Sequence, residues 1–190
     1  MMPPDPFQAR VQLVHGPSIS SRGDSRPILW QDRIMQQDQP RVPPPVFAAA
    51  AAALQTLLAR GSQGTRGSRI VAGLLTGASA GLMGASVLSF RRADTTLNPH
   101  EPDQATTLVQ TGVFGLTRNP IYLGMAGLLL AHAVGRRSWA AGVPLAGFLL
   151  VIDRIQIPAE ERALGQKFGS EFEGYARRVP RWLPSLRKAN

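Results

Sequence analysis

Long uncharged blocks separated by short polar stretches set the pattern of this chain. The first part does not follow it. Residues 1–42 have no sustained period, several prolines and scattered charge, which predicts a disordered N-terminal tail. Their longest apolar patch, residues 11–14, is too short for a secretory signal, and Met35 is a candidate start as well as Met1. Residues 42–59 then run eighteen positions without a charge, and the prolines at their mouth shorten the predicted helix to about 45–59. Residues 70–90, "IVAGLLTGASAGLMGASVLSF", give twenty-one uncharged positions, the length of a bilayer-crossing helix.

Within that block Gly73, Gly77, Gly81, Ala85 and Ser89 recur every four residues. So many glycines weaken a helix in water, whereas in lipid a small-residue stripe lets another helix backbone come close. The membrane reading explains the pattern better. Two further apolar blocks, 121–134 and 138–152, are separated only by "GRRS", which predicts an antiparallel hairpin of helices at about 120–134 and 138–157. Leu164, Phe168, Phe172 and Tyr175 then fall on one face, predicting an amphipathic surface helix over about 159–178. The expected fold is all-α. It is an integral membrane bundle of about four transmembrane helices, the last two a short hairpin, with a C-terminal cap; the domain spans 43–190.

Charge sharpens this picture. The chain carries 21 Lys+Arg against 12 Asp+Glu, a net charge of +9. Five of these cations, Arg60, Arg66, Arg69, Arg136 and Arg137, lie in the loops at one end of the predicted bundle. The other 16 of the 21 lie on the side of the termini, so the positive-inside rule makes the termini and the cap cytoplasmic. The expected location is a bacterial inner membrane. Nucleic acid explains the charge less well, because aromatic content is 6% and no basic residues interleave with aromatics. The absence of cysteine excludes disulfides, thiolate metal sites and cysteine nucleophiles. His15, His100 and His132 have no ligand spacing, so no metal site is expected, and His132 is expected to bond a helix carbonyl.

Three polar stretches abut the apolar blocks at the cytoplasmic end: "FRRADTTLNPHEPDQATTLVQTGVFGLTRNPIY", "DRIQIPAEERAL" and "FGSEFEGYARRVPRWLP". Each has an ordinary reading. Asn119-Pro120 starts a helix, Tyr122 anchors at an interface, Arg118 sets topology, and Glu160 and Glu161 favour a helix N-terminus.

Taken together, "TTLVQTGVFGLTRNPIYLG" and "EERALGQKFGSEFEGYARRVPRWLP" resemble the isoprenylcysteine carboxyl methyltransferase family, a relative of the membrane phospholipid methyltransferases. The resemblance covers roughly residues 70–184, and "FRRADTTLNPHEP" is similar to its bacterial members. It implies a membrane enzyme that uses S-adenosylmethionine, without a Rossmann sheet. It further implies cofactor walls from Thr106, Thr107, Leu108, Val109 and Phe114, and from Asn119, Pro120, Ile121 and Tyr122, closed by Glu160. Asn119, Tyr122 and Glu160 are the implied catalytic positions, and Arg154 and Gln156 the implied substrate positions. The isoprenylcysteine enzymes have His where this chain has Asn119, which can hydrogen-bond but cannot act as acid or base.

That residue set suits a sulfonium cofactor. A carboxylate can bind its ammonium group, and aromatic faces can approach the sulfonium or adenine. In-line methyl transfer to a carboxylate needs no proton transfer, only positioning and exclusion of water. An amine acceptor needs a base, for which His100 and Glu101 are candidates. The expected activity is methyl transfer to a lipophilic small molecule, lipid or isoprenylcysteine-like carboxylate, reached from the bilayer between the glycine-striped helix and the hairpin. A catalytically inactive membrane adaptor of the same fold and a soluble nucleic-acid binder are the alternatives.

Overall fold

The computed structural model describes residues 42–93 and 107–183. The tail at 1–41 with His15 and Met35, the 94–106 stretch with His100, Glu101 and Thr106, and residues 184–190 lie outside the described residues. The described chain is helical and contains no strand: α1 is Pro44–Leu58, α2 Arg66–Arg92, α3 Pro120–Arg136 and α4 Gly142–Val151. A π-helical turn at Ile152–Gln156 joins α4 to α5, Ile157–Phe168, and α6 is Ser170–Arg178. A short 3-10 turn, Gly112–Gly115, precedes α3.

Two helices are long and apolar enough to cross a bilayer, α2 and the continuous Gly142–Phe168 rod; α1 is a shorter apolar helix. Ile70, Val71, Leu74 and Leu88 lie exposed along α2, an outward apolar surface that suits lipid better than water. The hairpin is tight. Arg137, in the left-handed region at φ 51°, ends α3, and the chain re-enters helix at Gly142, four residues later than the periodicity predicts.

The glycine stripe does not do what its spacing predicts. Gly73, Gly77 and Gly81 face open space. The close approach between α2 and α3 comes from glycines on α3 instead. A Cβ added at Gly124 would run into Met83 and the Ser79 carbonyl, one at Gly127 into the Ser79 side chain, and one at Gly135 would sit 3.1 Å from the Ala72 Cβ. The two helices pack along this seam more extensively than any other pair. Gln55, fully buried, ties α1 to the hairpin by donating to the Leu129 and Ala141 carbonyls at 3.0 and 2.7 Å.

The long second helix departs from the predicted boundary at 157, because it runs on as a widened turn. Pro158 has no N–H for the Arg154 carbonyl and its ring crowds that carbonyl, so the helix opens into the π turn just before it. The amphipathic helix predicted over 159–178 is two helices, broken at Gly169, whose φ of 50° and ψ of −125° only glycine adopts readily. Its apolar face survives the break. Leu164, Phe168, Phe172 and Tyr175 come together around Leu108 and Val179 as a second core, apart from the main one formed by Met125, Leu129, Phe148, Ile152 and Ile157.

Candidate functional site

The N-terminal turn of α3 meets the π turn. Pro120 occupies the first helical position, and Tyr122 two residues on is buried among Ile152 and Ile157. Gln156 and Glu160, four apart, share the face that Tyr122 meets. The Tyr122 hydroxyl donates to Glu160 Oε1, and Gln156 Nε2 donates to the same oxygen at 2.7 Å. Gln156 is 1% exposed and its Oε1 has no partner among the described residues. Both donors to Glu160 are neutral, and no cation pairs with it there.

Glu161, the next residue, has the opposite surroundings. Arg118 Nη1 lies 2.7 Å from its Oε1, while Arg181 Nε spans both oxygens at 3.0 and 3.1 Å and its Nη2 reaches Oε2 at 2.5 Å. These bonds hold the Arg181 guanidinium above its ordinary range. The surrounding backbone fixes the pair. Arg118 N–H donates to the Pro180 carbonyl at 2.9 Å, and Thr117 Oγ1 and Asn119 Nδ2 donate to the Arg181 carbonyl at 2.9 and 3.0 Å. Trp182 Nε1 then donates to Asp153 Oδ1 at 2.8 Å, tying the C-terminal segment to the π turn.

The predicted site residues divide. Tyr122, Gln156 and Glu160 form one cluster, with Pro120 buried beside it and Ile121 packed against the main core. Asn119 stands at the α3 N-cap but makes no side-chain capping bond, because its amide is directed to the C-terminal segment. Thr107 is exposed, Leu108 packs in the second core, and Val109 is buried. Phe114 stacks edge-to-face on Phe90 at 5.0 Å, and its carbonyl accepts the Tyr175 hydroxyl at 2.8 Å. Burial pushes the Tyr175 phenol up to about 12. Arg154 is exposed and pairs with Asp153 at 3.2 Å, away from Gln156. Thr106 lies outside the described residues.

Arg181, Trp182 and Asp153 lie in stretches already placed at this end, but the sequence did not reveal their bonding roles. Their signal was "RRVPRWLP", whose cation and aromatic turn inward to carboxylates rather than toward headgroups.

The phospholipid methyltransferase family matches residues 68–171, which include nearly all of α2, the hairpin, the π turn and α5. An uncharacterized protein of Haemophilus influenzae is 38% identical over 63 residues, all of that protein and 33% of this chain. No solved structure matches. The chain belongs to the phospholipid methyltransferase family, the grouping of the isoprenylcysteine carboxyl methyltransferase-like proteins.

Proposed function

We propose that this family member is a membrane-embedded, S-adenosylmethionine-dependent methyltransferase acting on a lipophilic small molecule or lipid. One observation carries the reading most. Glu160 is held by two neutral donors, lacks a cation among the described residues, and lies beside the unpartnered Gln156 Oε1. A carboxylate in this setting is suited to a cationic ligand, and the amide oxygen offers a second acceptor.

When bound, the cofactor supplies an electrophilic methyl group on a sulfonium and a positively charged amino-acid tail. The chain's own residues would then have distinct tasks. Glu160 receives a cationic group, with Tyr122 and Gln156 fixing its carboxylate orientation. Gln156 Oε1 accepts a hydrogen bond from the ligand. Ile152 and Ile157 keep water from the cluster. The Arg118–Glu161–Arg181 group closes the C-terminal segment over the start of α3. Leu108, Val109 and Phe114 act here through packing and backbone groups.

In this reading α1, α2, α3 and the Gly142–Phe168 rod make a four-helix membrane bundle, with the cluster and the termini on the cytoplasmic face of a bacterial inner membrane. Methyl-labelled cofactor binding to detergent-solubilised full chain tests it. Glu160→Gln is expected to lower affinity about 10- to 100-fold, as for loss of a charge-assisted hydrogen bond. Unchanged binding in a folded variant rejects the site.

A further inference from the structure

The far end of the α2–α3 pair carries groups that this methyl-transfer reading leaves unused. A cavity of about 690 Å³ opens there, lined by the 61–64 loop, by Arg69 and Thr76 of α2, and by Leu128, His132 and Arg136 of α3. Its chemistry is graded along the helices. Arg69 and Arg136 stand near the helix ends, while Thr76 and Leu128 lie seven and eight residues inward, about 10–12 Å at the helical rise. One end of the space is cationic, while toward the other Ala72, Leu128 and Ala131 add apolar surface beside the Thr76 hydroxyl.

Among the described residues the cations at this end have no counter-charge. Arg60, Arg66, Arg69, Arg136 and Arg137 cluster in sequence at this end, and residues 59–93 and 107–152 contain no Asp or Glu. Neither Arg69 nor Arg136 forms an ion pair among the described residues, and the His132 ring, against expectation, bonds no helix carbonyl there. The rim is also built in place. Gly64 sits so close to the Gly135 carbonyl that a Cβ there would collide with it, and Ser68 Oγ lies 3.3 Å from the same oxygen.

We propose that this cavity binds the phosphate of an anionic phospholipid, with Arg69 and Arg136 on the phosphate and the lipid's apolar body toward Leu128 and Thr76. Paired guanidiniums match phosphate oxygens in charge and geometry. The apolar part of the lining, Ala72, Leu128 and Ala131, favours a lipid over a free anion. Fourteen residues of α3 separate Arg136 from Tyr122, about 21 Å at the helical rise, so this lipid head does not reach the Tyr122–Gln156–Glu160 cluster. The site is a second one, and it stands whether or not the chain transfers methyl groups.

The test uses detergent-solubilised full chain titrated with dioctanoyl phosphatidylglycerol, dioctanoyl phosphatidylcholine and inorganic phosphate, with binding read by calorimetry. Phosphatidylglycerol is expected to bind at least tenfold more tightly than either of the others. Arg69→Gln/Arg136→Gln is expected to lower that affinity at least tenfold, and Leu128→Trp to lower it without changing the response to phosphate. Arg91→Gln/Arg92→Gln, at the other end of α2, is the charge-matched control and should bind as the parent does. An equal loss in that control, equal affinity for both lipids, or phosphate binding as tightly as phosphatidylglycerol overturns the proposal. Unaltered thermal unfolding of the variants ensures that a loss reflects the cavity.

Discussion

The two ends of the α2–α3 pair treat charge in opposite ways. Among the described residues at the Tyr122 end, Arg118, Asp153, Arg154, Glu161 and Arg181 are paired, whereas Glu160 has no cation. At the Arg136 end cations line a cavity and no acid is near them in sequence. Pairing of partly buried charges holds segments together. A charge left over within an otherwise built site invites a ligand of opposite sign. On the readings proposed above, the two ends take different ligands, a cationic group at Glu160 and an anionic one between Arg69 and Arg136.

The seam joining the ends is the most sensitive place to break this arrangement. Gly127→Leu forces a side chain into Ser79 and should cost about 3 kcal/mol, the upper range for overpacking. Both the cofactor response and the phosphatidylglycerol response should fall together. Gly77→Leu, on the open face of the same α2, should stay within about 1 kcal/mol of the parent. Thermal unfolding in detergent compares them, and equal destabilisation would refute the assignment of the contact to α3 glycines.

Within the Tyr122 end, adjacent glutamates give the next sharpest contrast. Glu161→Gln leaves Arg118 and Arg181 without their shared anion, and at their partial burial should cost about 2 kcal/mol. The C-terminal segment should become more sensitive to proteolysis near Arg181. Glu160→Gln breaks no ion pair and should leave the unfolding temperature nearly unchanged while weakening the cofactor. If both variants melt alike, the division between a fastening carboxylate and a binding one fails.

Much of this architecture can be read from the residues, but not the division of labour. Blocks such as 70–90 predict a helix because length and lack of charge are local properties. Which face of that helix meets another is not local, so Gly73, Gly77 and Gly81 suggested a contact that Gly124, Gly127 and Gly135 make. The motif singled out Tyr122, Gln156 and Glu160, which the fold brings together. That Glu160 and not Glu161 lacks a cation among the described residues depends on Arg118 and Arg181, whose approach is decided by hydrogen bonds to the C-terminal backbone between segments about sixty residues apart. The π turn before Pro158 escaped periodicity because one wide turn barely alters a hydrophobic pattern. Gly169 was visible, yet only its backbone angles show that it breaks the surface helix.

The smallest effect at pH 8 concerns the second core, where Tyr175 joins α6 to the turn before α3. Its hydroxyl donates to the Phe114 carbonyl, and burial pushes its phenol up to about 12, opposed in part by Arg118. In the unfolded chain a tyrosine ionises near 10. Below that pH both states keep the proton and the full contribution to stability is present. Above it the unfolded state ionises first, so stability falls as pH rises toward 12, by about 2–3 kcal/mol over the interval. Tyr175→Phe removes one hydrogen bond, which should cost about 1 kcal/mol at pH 8, and removes the titration as well. The difference between parent and variant should therefore shrink and change sign between pH 10 and 12. Denaturant unfolding in detergent at pH 8, 10 and 12 measures it, and a difference that stays constant across that range would mean the phenol ionises in the fold as it does in water.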